Sequence, residues 1–283
     1  MPQGIKFKGS PLTLVGRNLK IGAVAPDFRV SAQDLKEVRL ADFKDKIKIL
    51  TSFPSLDTPV CDLQVKEFNK KAAGISPDVV IVGISKDLPF AQQRFCETFE
   101  IKNVNVVSDY KQSSFGINYG LLIKELNLLA RSVLILDKNN TLRYIQIVEE
   151  LTRQPDYAAV LNKLEEVIKT PALAVSEDLP GHCKPCEGGA LPLAKEKIEK
   201  FIAKADGWEV IEDKKIVKEF KCKDFQEAKY FLDLVSLIAE EQNHHPNFTL
   251  IYNKLKITCT THAIGGLSEN DFIIARIIDE LNG

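Results

Sequence analysis

The sequence predicts an α/β domain over residues 1–170, a linker over 171–190 and a smaller α+β domain over 191–283. Three observations carry this reading. Up to about residue 170, short apolar runs alternate with helical stripes, the mark of a sheet with helices on its faces. Between Thr170 and Leu193, Pro171, Pro180, Pro185 and Pro192 mix with Gly181, Gly188 and Gly189 and no apolar period survives, as at a domain boundary. The remaining ninety or so residues run helix, two strands, helix, two strands, helix, an α+β order.

In chain order, Lys46 to Phe53 reads as a strand through Ile47, Ile49 and Leu50 and runs straight into Pro54. Val79-Val80-Ile81-Val82-Gly83-Ile84 and Val133-Leu134-Ile135-Leu136 are short continuous apolar runs, expected of strands buried on both faces. Asp137-Lys138-Asn139-Asn140 is turn chemistry, and Leu142 to Val148 returns as a hairpin partner. From Asp156, apolar residues at Tyr157, Val160, Leu161, Leu164, Val167 and Ile168 form a helical stripe. Beyond the linker come a helix near 193–204, strands at Glu209–Ile211 and Lys215–Cys222, and a helix capped by Asp224 with Glu227 three residues on. Its apolar face is Phe225, Ala228, Phe231, Leu232, Val235 and Ile238. Strands Phe248–Tyr252 and Leu255–Thr260 precede a last helix starting at Ser268, whose Glu269 and Asp271 suit its positive end.

Composition narrows the function classes. With 38 basic and 39 acidic residues among 283, the net charge is −1, so no field is present to hold nucleic acid or an acidic membrane. No apolar run reaches the length of a membrane span, and the N-terminus lacks a signal-peptide stretch. A cytoplasmic location is the expectation. In a reducing compartment the six cysteines, at 61, 96, 183, 186, 222 and 259, read as catalytic or metal-binding groups before structural disulfides. All four histidines lie at or after residue 182, which confines imidazole chemistry to the C-terminal third.

Pro54-Ser55-Leu56-Asp57-Thr58-Pro59-Val60-Cys61 follows a strand and precedes a helical stretch with Leu63, Val65 and Phe68. Cys61 then falls in a first helical turn, where free N–H groups and the helix dipole favour a thiolate. Thr58 is one turn back, able to donate to that sulfur or to an oxygen attacking it. Pro54 and Pro59 stiffen the loop. Asp62 opposes a thiolate if it faces inward, and a buried inert cysteine is the bland alternative for a lone residue.

The Pro54…Thr58…Cys61 spacing resembles the active-site signature of peroxiredoxins, and Asp57-Thr58-Pro59-Val60-Cys61 resembles their thiol peroxidase branch. Arg94-Phe95-Cys96, Leu129-Ala130-Arg131-Ser132-Val133 and Glu149-Glu150-Leu151-Thr152 through Tyr157 agree, so the likeness spans residues 4–168. It implies an α/β thioredoxin-like fold in which Cys61 is the peroxidatic cysteine and Thr58 its hydrogen-bonding partner. It also implies that Arg131 polarises the peroxide, that Pro54 lines the substrate loop, and that Cys96, 35 residues downstream, is the resolving cysteine. The expected chemistry is reduction of hydrogen peroxide or organic hydroperoxides through a sulfenic acid and a Cys61–Cys96 disulfide, recycled by an external thioredoxin-like reductant.

In the C-terminal part, Glu240-Glu241-Gln242-Asn243-His244-His245-Pro246 ends a helix, Thr260-Thr261-His262 closes a strand, and Asp271 opens the last helix. Imidazoles gathered there suit proton transfer near neutrality. Zinc is the rival, although the helical His-x-x-x-His spacing is missing, and surface histidines are the bland reading. With Gly207-Trp208, Phe220, Lys223-Asp224-Phe225, Tyr252-Asn253-Lys254 and Gly266 to Asp271, these residues resemble pterin-4a-carbinolamine dehydratase over residues 190–281. The resemblance implies an α+β pterin dehydratase-like fold, an antiparallel four-stranded sheet with three helices. It implies that His244, His245 and His262 dehydrate a 4a-hydroxytetrahydropterin, oriented by Asp271 and Glu240, with Thr260 and Thr261 contacting the pterin. No metal and no tightly bound cofactor are implied. Phe248 stands where many members carry tryptophan.

His182-Cys183-Lys184-Pro185-Cys186 is a lone Cys-x-x-Cys in the linker: a redox pair, half a zinc site or an incidental turn. Cys222 and Cys259 read as small packing hydrophobes. The chain is thus expected to be a bifunctional enzyme and a homo-oligomer, dimer or tetramer, with no nucleic-acid or membrane partner. The alternative is a peroxidase whose C-terminal part is a non-catalytic oligomerisation or partner-binding module.

Overall fold

The computed structural model describes residues 4–72, 74–173, 182–184 and 191–282. The chain divides into two compact units, Met1–Ser176 and Glu177–Leu281. Cys186 and most of the linker lie outside the described residues.

The first unit opens with a feature absent from the sequence reading, a small hairpin of β1 (Ile5–Phe7) and β2 (Ser10–Leu12). Its turn is left-handed at Lys8 (φ 49) and Gly9 (φ 83). Next come β3 (Leu14–Arg17), β4 (Arg29–Ser31), β5 (Glu37–Arg39) and β6 (Ile47–Ser52), and then α1 (Pro59–Ala72). After β7 (Val79–Ser85) and α2 (Pro89–Thr98) follow β8 (Asn105–Ser108) and α3 (Ser114–Asn118). The short β9 (Leu122–Ile123) and β10 (Leu128–Leu129) pair with β3 in the order β10–β9–β3. The hairpin β11 (Ser132–Leu136) and β12 (Leu142–Ile147) turns where the sequence places it, and α4 (Tyr157–Lys169) closes the unit. Asp156 caps α4 by accepting from the Ala159 N–H at 3.0 Å.

The main sheet has seven strands in the order β12–β11–β6–β7–β8–β4–β5. Only β6, β7 and β8 run parallel; both flanks are antiparallel. Side chains alternate across it. Ile47, Ile49, Val133 and Ile135 meet Val65, Phe68, Phe95, Val160, Leu164 and Val167 from α1, α2 and α4. Leu50, Val82, Leu134 and Leu136 pack the other way, against Phe115, Tyr119, Phe28 and Ile123. Helices therefore dominate one face, whereas the other is covered mostly by the five-residue α3, strands and loops. This departs from the expectation of helices on both.

The second unit is α5 (Lys195–Ile202), β13 (Glu209–Ile211), β14 (Lys215–Lys221), α6 (Phe225–Gln242), β15 (Asn247–Ile251), β16 (Lys254–Cys259) and α7 (Glu269–Asp279). Its four strands pair antiparallel in the order β13–β14–β16–β15. Along β16, Leu255, Ile257 and Cys259 are buried while Lys254 and Lys256 are exposed, so one face of the sheet carries the core. Asp224 caps α6 through the Glu227 N–H, as its sequence predicts. Phe225, placed on the apolar face by the sequence, is exposed; Leu234 and Ala239 are buried with Ala228, Phe231, Val235 and Ile238. No helix of the described residues is long and apolar enough to cross a membrane.

Candidate active sites

The first site forms where β6 runs into α1. Pro59 begins the helix, its fixed φ suited to that position and its missing N–H no loss there. The Thr58 carbonyl accepts from the N–H groups of Cys61 and Asp62, each at 3.1 Å. This places Cys61 in the first turn, its side chain buried in the core beneath exposed Thr58. Two donors converge on the sulfur: Thr58 Oγ1 at 2.8 Å and Arg131 Nη2 at 3.2 Å. Arg131 precedes β11, which pairs directly with β6, so sheet register brings the guanidinium to the helix start.

Arg131 is 1% exposed and held on three sides. Its Nε and Nη2 donate to the Leu151 carbonyl at 3.1 and 2.9 Å, and its Nη1 donates to Gln64 Oε1. Gln64, fully buried on α1, donates in turn to Thr51 Oγ1 at 2.6 Å. The Leu151 segment is itself clamped by the N-terminal hairpin. Lys6 N donates to the Glu149 carbonyl, Leu151 N to the Lys6 carbonyl, and Lys8 N and Gly9 N to the Glu150 carboxylate, the last two at 3.0 Å. These backbone donors, Gly9 first, pull the Glu150 carboxyl down to about 2. Gln64 and the Leu151 carbonyl were not among the expected site groups. A polar residue on a helix reads as solvent-facing, and a carbonyl has no side-chain signature.

Asp62 pairs its carboxylate with Lys66 Nζ at 2.5 Å, one turn along α1. Leu63, expected in the apolar stripe, is exposed, and Gln64 takes the buried place beside Val65 and Phe68. Pro54 is buried at the root of the loop. Cys96 lies on α2, buried in the same core cluster as Cys61, and accepts from Gln33 Nε2 at 3.2 Å. Burial pushes the Cys96 thiol above its ordinary value, offset in part by that amide. Both cysteines are free thiols.

The second site is built on a fully buried carboxylate. Asp271 closes a capping box with Ser268 at the start of α7. Its Oδ2 accepts from Ser268 N at 2.8 Å and Thr261 Oγ1 at 2.7 Å, and its Oδ1 meets His244 Nε2 at 2.8 Å. His244 is buried just after the C-terminal end of α6, where Asn243 is left-handed (φ 48) and turns the chain toward β15. The adjacent histidines part company. His245 is exposed and pairs with exposed Glu240, Nε2 to Oε1 at 3.1 Å. His262 is exposed in a short 3₁₀ turn, His262–Ile264, immediately after Thr261. Thr260 turns its hydroxyl to the Lys214 carbonyl at 2.9 Å, away from Asp271. The structure thus joins His244, Asp271 and Thr261, and leaves the other predicted groups at the rim. Among the described residues no group of three His, Cys, Asp or Glu side chains is arranged to hold a metal ion.

Two buried amides flank this site. Asn270 exchanges a pair of hydrogen bonds with the Lys184 backbone, N–H to Oδ1 at 3.0 Å and Nδ2–H to the carbonyl at 2.6 Å. Gln242 Oε1 accepts from Cys183 N at 2.9 Å. Cys259 is buried under Asp271; burial first, then the Asp271 charge, pushes its thiol well above the ordinary range. Cys222 is half-buried just after β14. Trp208 donates its indole N–H to Asp279 at 3.0 Å, at the far end of α7 from Asp271. At 1.5 Å per residue that is about 12 Å along the helix, so this indole does not line the His244 site.

Comparison with known proteins places both halves. Residues 20–161 match the family model described as Redoxin, which covers half of the chain, and residues 191–281 match that of pterin 4 alpha carbinolamine dehydratase. The thiol peroxidase of Bacillus subtilis (strain 168) is 46% identical over 165 residues, covering 58% of this chain and 98% of its own. That of Aquifex aeolicus (strain VF5) is 44% identical over 171 residues, 59% of this chain and all of its own. Among solved structures, a peroxiredoxin-like protein from Aquifex aeolicus is 43% identical with a TM-score of 0.56, covering 59% of this chain and 98% of its own. A thiol peroxidase from Chromobacterium violaceum, 17% identical with a TM-score of 0.55 and covering 60% of this chain and 99% of its own, shares the fold.

Proposed function

This chain belongs to the redoxin family, in its thiol peroxidase branch, and carries a pterin-4a-carbinolamine dehydratase domain after it; from that membership we propose how each half performs its reaction. Cys61 attacks a hydroperoxide as the thiolate. A sulfur–oxygen bond forms, the O–O bond breaks, and the leaving oxygen departs as water or an alcohol. The observation that supports this is the convergence of Thr58 Oγ1 and Arg131 Nη2 on one sulfur, because fixed donors stabilise charge that moves from sulfur to the leaving oxygen without reorganising. Cys96 then condenses with the Cys61 sulfenic acid, releasing water, and an external thioredoxin-like dithiol reduces the disulfide.

In the second half, His244 transfers the proton between the 4a-hydroxytetrahydropterin and its departing hydroxyl. Asp271 fixes its ring, and His245, His262 and Glu240 complete the rim. Buried Asp271, with Thr261 and Ser268 on one oxygen and His244 on the other, supports this assignment. Thr260 and Thr261 stand at the strand end where the pterin docks. Neither reaction requires a tightly bound cofactor. We place the protein in the cytoplasm, where a dithiol reductant works, and propose that it acts as a homo-oligomer.

Steady-state assays on the full chain test both halves. Cys61→Ser abolishes peroxide consumption and leaves dehydration intact, while His244→Ala does the reverse. If the wild-type protein only matches uncatalysed dehydration, the second half is a binding or assembly module instead.

A further inference from the structure

One carboxylate outside the proposed catalytic set joins the loop that leads into the Cys61 helix to the turn that leads into the Cys96 helix. Asp87 lies in the turn between β7 and α2, two residues before the helix that carries Cys96. Its Oδ1 accepts from Ser55 Oγ at 2.6 Å and its Oδ2 from the Leu56 N–H at 2.8 Å; Ser55 and Leu56 both belong to the Cys61 loop. Oδ2 also accepts from Ser85 Oγ at 2.7 Å, at the end of β7. The Asp87 carbonyl accepts from Ser108 Oγ at 2.5 Å, which fastens the turn to β8. Ser55 also bears on the site, because its carbonyl lies 3.0 Å from Thr58 Oγ1 and competes with Cys61 Sγ, at 2.8 Å, for the one proton of that hydroxyl. The position of Ser55, set by Asp87 in the turn before α2, therefore bears on how Thr58 meets the reacting sulfur.

We propose that Asp87 is a positioning residue that latches the Cys61 loop to the base of α2, holding the site peroxide-reactive and setting how readily Cys96 is released to resolve the sulfenic acid. The proposal rests on the peroxidase reading above. Cys96 is buried, and α2 is tied down at its base by Asp87 and at Gln92, whose Nε2 donates to Ser85 Oγ and the Val107 carbonyl. Resolution needs the two sulfurs in bonding contact, which demands close approach of their Cα atoms. The sulfenic acid has two fates. Attack by Cys96 forms the S–S bond and expels water. Attack on a second hydroperoxide forms a sulfinic acid and releases an alcohol or water. A tight latch favours the second fate by keeping α2 closed and the donors aimed at the sulfur; a broken latch favours the disulfide. Charge-assisted hydrogen bonds to a carboxylate are the stronger class, so loss of the loop tie shifts the opening equilibrium by about tenfold or more.

The test uses the full-length reduced protein and hydrogen peroxide, with Cys61 products quantified by mass spectrometry after rapid quench and the loss of peroxide followed by stopped flow. Asp87→Ala lowers the rate of the first oxidation by about tenfold or more, since small misplacements of positioned groups carry large rate costs. It also lowers the sulfinic-to-disulfide ratio at fixed peroxide by about tenfold. Asp87→Asn and Ser55→Ala, which keep part of the network, move both quantities the same way by less. Leu142→Ala, a core truncation outside the network, lowers thermal stability without moving the ratio. The latch is refuted if the three network variants keep the wild-type ratio, or if Leu142→Ala shifts it equally. A wild-type protein that forms no Cys61–Cys96 disulfide at all refutes instead the peroxidase reading on which the latch rests.

Discussion

Arg131 Nη2 lies 3.2 Å from the sulfur of Cys61 although 70 residues separate them in the chain. The antiparallel pairing of β11 with β6 creates the contact, and Gln64 and the Leu151 carbonyl fix its direction. A permanent cation and a hydroxyl aimed at one thiol have a direct kinetic consequence. Arg131→Met lowers kcat/KM for hydrogen peroxide by about a hundred- to a thousandfold, the size of effect seen when a preorganised donor is removed. Thr58→Val falls in the same range and Thr58→Ser retains most of the rate, in stopped-flow assays.

Gln64 is the support of that arrangement. Gln64→Leu leaves the Arg131 Nη1 donor without its buried acceptor, while Thr51 keeps its donation to the Ser132 carbonyl, at a cost of about 1–3 kcal/mol. Denaturant unfolding reads this loss of stability, and peroxide kinetics read a slower first step, because the guanidinium then keeps only its Leu151 anchor.

Asp271→Asn tests the second site through proton placement. Oδ2 accepts from Ser268 and Thr261, so the variant keeps its oxygen there and turns its amide N–H₂ toward His244 Nε2. His244 must then accept at Nε2, and the other ring nitrogen must carry the proton, the reverse of the wild-type tautomer. Dehydration falls by about a hundredfold, the lower end of what general acid–base catalysis contributes. The pH–rate profile changes shape while the fold, read by circular dichroism, is kept.

Cys259 sets a pH dependence of stability. Its folded-state thiol is raised well above the ordinary 9.0 by burial and the Asp271 charge. The folded protein therefore holds the proton longer than the unfolded chain does. Stability from this group is full below about pH 9 and is lost as the pH climbs toward the raised folded value; Cys96, raised by its own burial, acts in the same direction. Melting temperatures of Cys259→Ala between pH 8 and pH 11 fall less steeply than those of the wild type.

The sequence makes the strand and helix order legible because each element carries its own period. The runs at 79–84 and 133–136 appear as β7 and β11, and Asp156 and Asp224 cap the helices they precede. What escapes it is direction. Leu63 is apolar yet exposed, and Gln64 is polar yet fully buried, because the groups that hold Gln64, Thr51 and Arg131, are distant in the chain. His244 and His245 are neighbours in the chain, but the left-handed Asn243 and the turn into β15 send one inward to Asp271 and the other outward to Glu240. The hairpin clamp on Leu151 draws its donors from the backbone, and the Asp87 ties are contacts across the fold; neither leaves a pattern in the residue string.

The most direct test of the peroxidase half is a single turnover of reduced full-length protein with one equivalent of hydrogen peroxide, followed by peptide mapping. The account predicts that Cys61 and Cys96 leave the thiol pool together as one linked peptide, and that Cys61→Ser leaves the peroxide unconsumed. Peroxide loss that continues undiminished in Cys61→Ser, with the modification on another cysteine, contradicts it.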